Sequence, residues 1–169
     1  MIRLLGVDLG ERRIGLAIAD GDRGRAIPIA TLRRGRTTDA DAAALLEIVG
    51  EHNVGELVVG LPLEASGDEG PQARLTRAWV ETVQPRIGLP VTLRDERLTS
   101  YLAEQRVGPM KRGRSGGPPS PSQRQAYRAR IDREAAAIIL QDELDSRAAG
   151  GPPRDPPAAN ASQRTETTG

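Results

Sequence analysis

The chain opens by swinging between apolar runs and short polar breaks. Residues 2–9 (Ile-Arg-Leu-Leu-Gly-Val-Asp-Leu) are apolar almost throughout, the pattern of a central strand covered on both faces. Gly10 supplies a turn. Residues 13–19 then alternate Ile14, Leu16 and Ile18 with the small Gly15, Ala17 and Ala19, which predicts a second strand. A polar turn over 22–25 leads to a third strand over 26–32. That strand carries Pro28, which cannot donate to a ladder and so belongs at a sheet edge. Three strands joined by short turns predict an antiparallel meander.

The period then changes. Thr38 or Asp39 is placed to cap a helix with Ala42, Leu45, Leu46 and Val49 on one face. Leu57-Val58-Val59, closed by Gly60-Leu61-Pro62, reads as a buried parallel strand. A glycine-bearing loop over 66–71 leads to a second helix with Leu75, Ala78, Trp79 and Val83 inward. Residues 91–94 form a fifth strand, opened by Pro90 and ending at Asp95-Glu96, and 98–107 a short helix. Residues 108–121 are rich in Pro, Gly and Ser and predict a flexible loop. The last helix is expected to start between Ser122 and Ile131 and to run to about Ser146. Residues 148–169 have hardly an aliphatic anchor and read as a disordered tail. A meander followed by alternating helix and strand predicts one α/β domain over 1–147, a mixed sheet with helices on both faces.

Composition narrows the chemistry. The 169 residues suffice for one sizeable core, and with only Trp79, Tyr101 and Tyr127 as aromatics that core must be filled by Leu, Ile, Val and Ala. The absence of cysteine removes disulfides, thiolate metal sites and Cys nucleophiles together. No charged-then-apolar leader is visible, nor any run near the roughly 18 apolar residues of a spanning helix. The expectation is a soluble, cytoplasmic protein with no membrane partner. Net charge is only +1, yet no acid falls between Gln105 and Ile131, where Arg106, Lys111, Arg112, Arg114, Arg124, Arg128 and Arg130 are all basic. That segment is either a phosphate-contacting patch or a solvated basic loop.

Three carboxylates sit where burial makes them costly. Asp8 is the only acid in the first strand. Glu96 lies at the carboxyl end of the fifth, where open α/β sheets bind ligands. Asp132 shares a helical stripe with Ala136, Ile139 and Leu140 and so faces inward. With the first and fifth strands parallel, Asp8 and Glu96 reach the same end of the sheet, and a helix packed across that end adds Asp132. Such acids repel one another unless a cation sits among them. Oxygen-only ligation points to Mg²⁺ or Mn²⁺ rather than zinc. Plainer readings stand beside each. Asp8 has Arg12 and Arg13 as partners across the turn, Glu96 reads equally as a solvated strand end, and Asp132 as a first-turn acid favoured by the helix dipole. His52, the only histidine, belongs at a helix end on the surface, which leaves no Ser/His/Asp triad unless His52 serves in it. Trp79 reads as core, and Asp20 as a turn residue or a neighbour of the acids. The 66–70 loop lacks the phosphate-loop pattern, and the first strand opens no dinucleotide turn.

Four segments then form a recognisable series: Gly6-Val7-Asp8-Leu9-Gly10-Glu11-Arg12-Arg13-Ile14-Gly15, Val59-Gly60-Leu61-Pro62, Asp95-Glu96-Arg97-Leu98-Thr99 and Ile131-Asp132-Arg133-Glu134-Ala135-Ala136. In order and separation they resemble the YqgF family, also called RuvX, Holliday-junction-resolvase-like proteins regarded as nucleases of pre-16S ribosomal RNA. The resemblance covers about residues 1–147. It implies a ribonuclease-H-like fold with strand order 3-2-1-4-5, and acidic residues matching Asp8, Glu96 and Asp132. It also implies metal-assisted phosphodiester hydrolysis, with two Mg²⁺ about 3.5–4 Å apart. Arg13, Arg97, Lys111, Arg112, Arg114, Arg128 and Arg130 would then hold phosphates of an RNA precursor or a branched DNA, in a monomer or homodimer. The loop before the last helix is longer and richer in Pro than the family pattern, with one Lys where several are usual, and the tail has no counterpart. Two other classes fit parts of the chain. A sugar-kinase or actin-type ATPase also opens with G-x-D-x-G but needs two such domains, and a silent nucleic-acid-binding module has no use for three clustered acids.

Overall fold

The computed structural model describes residues 2–21, 24–96 and 98–150. Its elements are β1 (Arg3–Leu9), β2 (Arg13–Asp20), β3 (Ile27–Arg33), α1 (Thr38–His52), β4 (Val54–Pro62), α2 (Pro71–Ile87), β5 (Val91–Glu96), α3 (Thr99–Val107) and α4 (Pro121–Ala148). The five strands form one sheet in the order β3-β2-β1-β4-β5. β2 pairs antiparallel with both β1 and β3, while β4 pairs parallel with both β1 and β5. This is the expected ribonuclease-H-like sheet, with the Pro28 strand at its edge.

Alternation along the strands divides the core in two. Leu5, Val7, Leu16, Leu57, Val59 and Leu93 face α1 and α2, where Leu45, Trp79, Val80 and Val83 close over them. Leu4, Ala17, Ala19 and Val58 face α4 and meet Ala136, Ala137, Ile139, Leu140 and Leu144. The second layer is thin because its residues are small. At Gly15 a Cβ would stand 1.9 Å from the carbonyl oxygen of Asp132, and at Gly6 2.7 Å from that of Ala136. Glycine at these two positions cuts the furrow that seats α4 directly on the sheet backbone.

Several local expectations need correction. Leu75 and Ala78 point outward, as does Leu46 on α1. α2 starts at Pro71, and the stripe that it buries runs through Ala73, Thr76, Val80, Val83 and Ile87 beside Trp79. α4 starts at Pro121, ahead of the predicted range. Ser120 accepts from the Gln123 N–H while the Gln123 side chain accepts from the Ser120 N–H, a capping box with proline at the first helical position. The loop is therefore 108–120, and α4 continues to Ala148. Of the expected tail, residues 151–169 lie outside the described residues. No described helix is long and apolar enough to cross a membrane.

One buried acid serves the fold. Asp41, in the first turn of α1, is 1% exposed. It accepts hydrogen bonds from Arg34 Nε at 2.7 Å, the Gly35 N–H at 2.7 Å and Trp79 Nε1 at 3.1 Å. Those bonds tie the end of β3 to α1 and α2.

Candidate active site

Asp8 lies near the carboxyl end of β1, on the α4 face. Its Cα partner on β2 is Gly15, and the Val7–Val59 pair sets it beside Gly60 on β4. Glu96 ends β5, opposite Pro62. Its Oε2 lies only 2.6 Å from where a Cβ on Gly60 would stand, so its carboxylate turns back over β4 toward Asp8. Asp132 arrives from the other direction, its backbone resting on Gly15. Glycines at 15 and 60 thus clear the space in which acids from β1, β5 and α4 converge. Just past Glu96 the chain turns through Leu98, whose φ of 57° lies in the left-handed region that a branched side chain rarely adopts.

The charges are unequal. Burial pushes the Asp8 carboxyl well above the usual carboxylate range, and the nearby charges of Glu96 and Asp132 push it further. Burial raises Glu96 to about 7. Asp132 has a partner, for Arg13 Nε donates to its Oδ2 at 2.5 Å. Arg13 thus reaches across to α4 rather than to Asp8, and Arg12 makes no ion pair among the described residues. With α4 starting at Pro121, Asp132 lies far inside the helix rather than in its first turn.

The donor set can be tested against a metal. Among the described residues no three acids or histidines close into a ready cage for an ion. Asp8 and Glu96 nevertheless offer two hard oxygen donors that make no ion pair among the described residues. Magnesium is usually held by one or two carboxylates with water and substrate phosphates. The pair fits that habit, whereas Asp132 is already engaged by Arg13.

The basic candidates fall into separate groups. Arg13 sits at the acids. Lys111, Arg112 and Arg114 are exposed on the 108–120 loop, and Arg128 and Arg130 are exposed on the amino-terminal half of α4. Tyr127 Oη donates to the Gly108 carbonyl at 2.9 Å and ties the loop's start to that half of the helix. Arg97 lies outside the described residues. Asp20 is remote from the acids and pairs with Arg3 Nε at 2.7 Å. His52 is the last residue of α1 and takes no part.

Known proteins resemble this chain over nearly its whole described length. Residues 2–146 match the model of the family described as RuvX, Holliday junction resolvase. A protein of Anaeromyxobacter dehalogenans (strain 2CP-1) named "Putative pre-16S rRNA nuclease" is 45% identical over 147 residues, covering 87% of this chain and 99% of that one. A protein of the same name from Roseiflexus sp. (strain RS-1) is 43% identical over 144 residues, covering 85% and 94%. Among solved structures, T. thermophilus RuvC in complex with a Holliday junction substrate superposes with a TM-score of 0.51 at 14% identity, covering 89% of this chain and 98% of that one. The last likeness shows a common fold. With the family model matched over 2–146 and identities above 40% across almost the full length of the relatives, the chain belongs to the RuvX family of Holliday junction resolvases.

Proposed function

We propose that the protein is a metal-dependent endonuclease that hydrolyses phosphodiester bonds, working in the cytoplasm on the 5′ end of pre-16S ribosomal RNA during ribosome biogenesis. The observation that carries this is the pair Asp8 and Glu96, two half-buried carboxylates brought together at the carboxyl end of the sheet with no ion pair among the described residues. A module that merely binds phosphate gains nothing from a negative pocket. The names of the 40–45% identical relatives favour RNA. The RuvC likeness with its junction substrate supports a second reading, branched DNA on the same acids.

In this account Asp8 and Glu96 hold Mg²⁺ or Mn²⁺. When bound, the ion supplies the charge that activates a water and stabilises the departing oxygen. Without it, burial lets Glu96 hold a proton up to about pH 7, and that proton gives way to the ion. Arg13 fixes Asp132 at the rim, leaving that carboxylate as a further ligand by exchange. The basic residues around the acids bind phosphates, which makes binding salt-sensitive with little reading of bases.

The test incubates the protein with Mn²⁺ and matched RNA, duplex DNA and four-way-junction substrates, beside Asp8→Asn and Glu96→Gln. Each variant is expected to lose at least about a thousandfold in cleavage rate, about 4 kcal/mol of barrier, with fold and nucleic-acid binding retained. Full activity in Asp8→Asn overturns the assignment. Preference among the substrates decides between the two readings.

A further inference from the structure

Beside the acids, the β2–β3 hairpin and the amino-terminal half of α4 enclose a cleft of about 700 Å³. Its walls carry Arg12, Arg13, Arg33 and Arg128, against one acid, Glu11. Arg13 and Arg33 are cross-strand partners, and the Arg34 N–H donates to the Arg12 carbonyl at 2.8 Å. The hairpin thus stacks its arginines on one rim while α4 supplies the other. Arg34 is occupied, donating to Asp41 and to the Gly10 carbonyl. Arg12, Arg33 and Arg128 are exposed and make no ion pair among the described residues. Three such arginines against the single acid Glu11 leave a positive surplus that favours an anion between them. The inner end of the cleft is Arg13, whose other neighbour is Asp132.

We propose that this cleft is the path of one nucleic-acid strand into the acid site, its sugar–phosphate backbone neutralised by Arg12, Arg33 and Arg128. The inference rests on the nuclease reading for the destination of the strand, but not for its binding. Three features define the ligand. A cleft of about 700 Å³ is the size of a small-molecule site, so it takes a short stretch of one strand rather than a whole duplex. No aromatic side chain lines it, so bases have no aromatic face to stack on and the main contact is to the backbone. The charge is fixed on arginines, which grip phosphate oxygens in pairs. The single-stranded segment is accordingly bound without regard to sequence, and Arg13 hands its phosphate to the acids.

The experiment measures binding of a fluorescein-labelled 12-nucleotide single-stranded RNA, and of the matching duplex, by anisotropy across a salt series. The proteins carry Asp8→Asn to prevent cleavage. Arg12→Gln/Arg33→Gln/Arg128→Gln is compared with Arg74→Gln/Arg77→Gln/Arg86→Gln, an equal loss of charge on α2 across the sheet. Since the three cleft arginines are exposed and unpaired, circular dichroism should be unchanged. The cleft variant is expected to bind single-stranded RNA at least tenfold more weakly, and its log–log salt slope should flatten by about 2, near 0.7 for each phosphate contact on a single strand. Arg33→Gln alone should flatten it by about 0.7. The α2 variant should keep the original slope, and the duplex should lose less than the single strand. Equal weakening by both triple variants, or none by the cleft variant, overturns the inference. If the cleft variant binds normally while Asp8→Asn abolishes cleavage, the cleft fails and the nuclease reading stands. If binding is lost as expected but Asp8→Asn cleaves as well as the parent, the nuclease reading fails and the cleft stands.

Discussion

α4 lies across two groups of largely half-buried charge on one face of the sheet, and they are built on opposite principles. Toward its carboxyl end, Arg147 Nε donates to Glu143 at 3.1 Å and its Nη1 to Glu56 at 3.1 Å. Arg94 stands 3.4 Å from the other Glu143 oxygen, and Thr92 Oγ1 donates to Glu56 at 3.0 Å. Two acids meet two arginines there, and hydrogen bonding to Glu56 holds the Arg147 guanidinium protonated even more firmly than usual. At the other end, three acids meet one described arginine, and the surplus charge shows as the raised Asp8 and Glu96. Both groups cost desolvation. The first recovers it within the protein, while the second is left in deficit, which only an added cation or proton makes good. A balanced cluster needs no function to explain it. An unbalanced one does.

The comparison is disturbed most by striking the acid end alone. Gly15→Ala puts a methyl group into the α4 backbone, which cannot yield as a side-chain tip would. The expected cost is on the order of 4 kcal/mol or more, beyond ordinary overpacking, read by urea denaturation, with cleavage lost as Asp132 is lifted away. Striking the balanced end is expected to be destabilising too, but for a different reason. Arg147→Met leaves Glu143 and Glu56 short of a counter-charge and should cost about 3 kcal/mol, while the surviving folded protein still binds Mn²⁺. Loss of Mn²⁺ binding there would mean that the two ends are not separate devices.

A pH series sharpens the contrast. Glu96 has a folded pKa of about 7 against an ordinary 4.5, so the metal-free folded protein holds this proton more tightly than the unfolded chain does. Its contribution to stability is therefore full below about pH 4.5 and is lost as pH rises toward 7, a swing of about 3 kcal/mol. Metal-free Glu96→Gln should gain on the parent across that window in chemical denaturation. Parallel curves would contradict an uncompensated acid.

Much of this was legible along the chain. The alternation of Ile14, Leu16 and Ile18, the proline in β3 and the continuous apolar run of β1 each specify a strand by simple periodicity. The inward stripe of Asp132, Ala136, Ile139 and Leu140 placed the acid correctly on its helix. Amphipathic surface helices were harder. The outward Leu46 and Leu75 mimic core positions, because a lone exposed leucine costs little and leaves no mark in the pattern. The first turns of α4 lack an apolar stripe, so their Pro and Ser looked like loop, although Ser120-Pro121 with Gln123 is a helix-start signal. Asp41 gave no hint of burial, since its partners Arg34 and Trp79 come together only in the folded chain. Arg13 read as a phosphate ligand and not as the partner of Asp132, a contact spanning 119 positions of sequence. Likewise Arg33 acquires its meaning only when the hairpin register sets it beside Arg13.

The central claim is that the unbalanced acids form a site for a divalent cation. Calorimetric titration of the protein with Mn²⁺ at about pH 6.5, in two buffers of different ionisation enthalpy, tests it most directly. Binding at Asp8 and Glu96 must displace the proton that a pKa near 7 retains. The heat should therefore differ between buffers in the parent protein, and binding should vanish in Asp8→Asn. A parent that takes up no Mn²⁺, or an Asp8→Asn variant that binds it with the same affinity and the same proton release, would contradict the account.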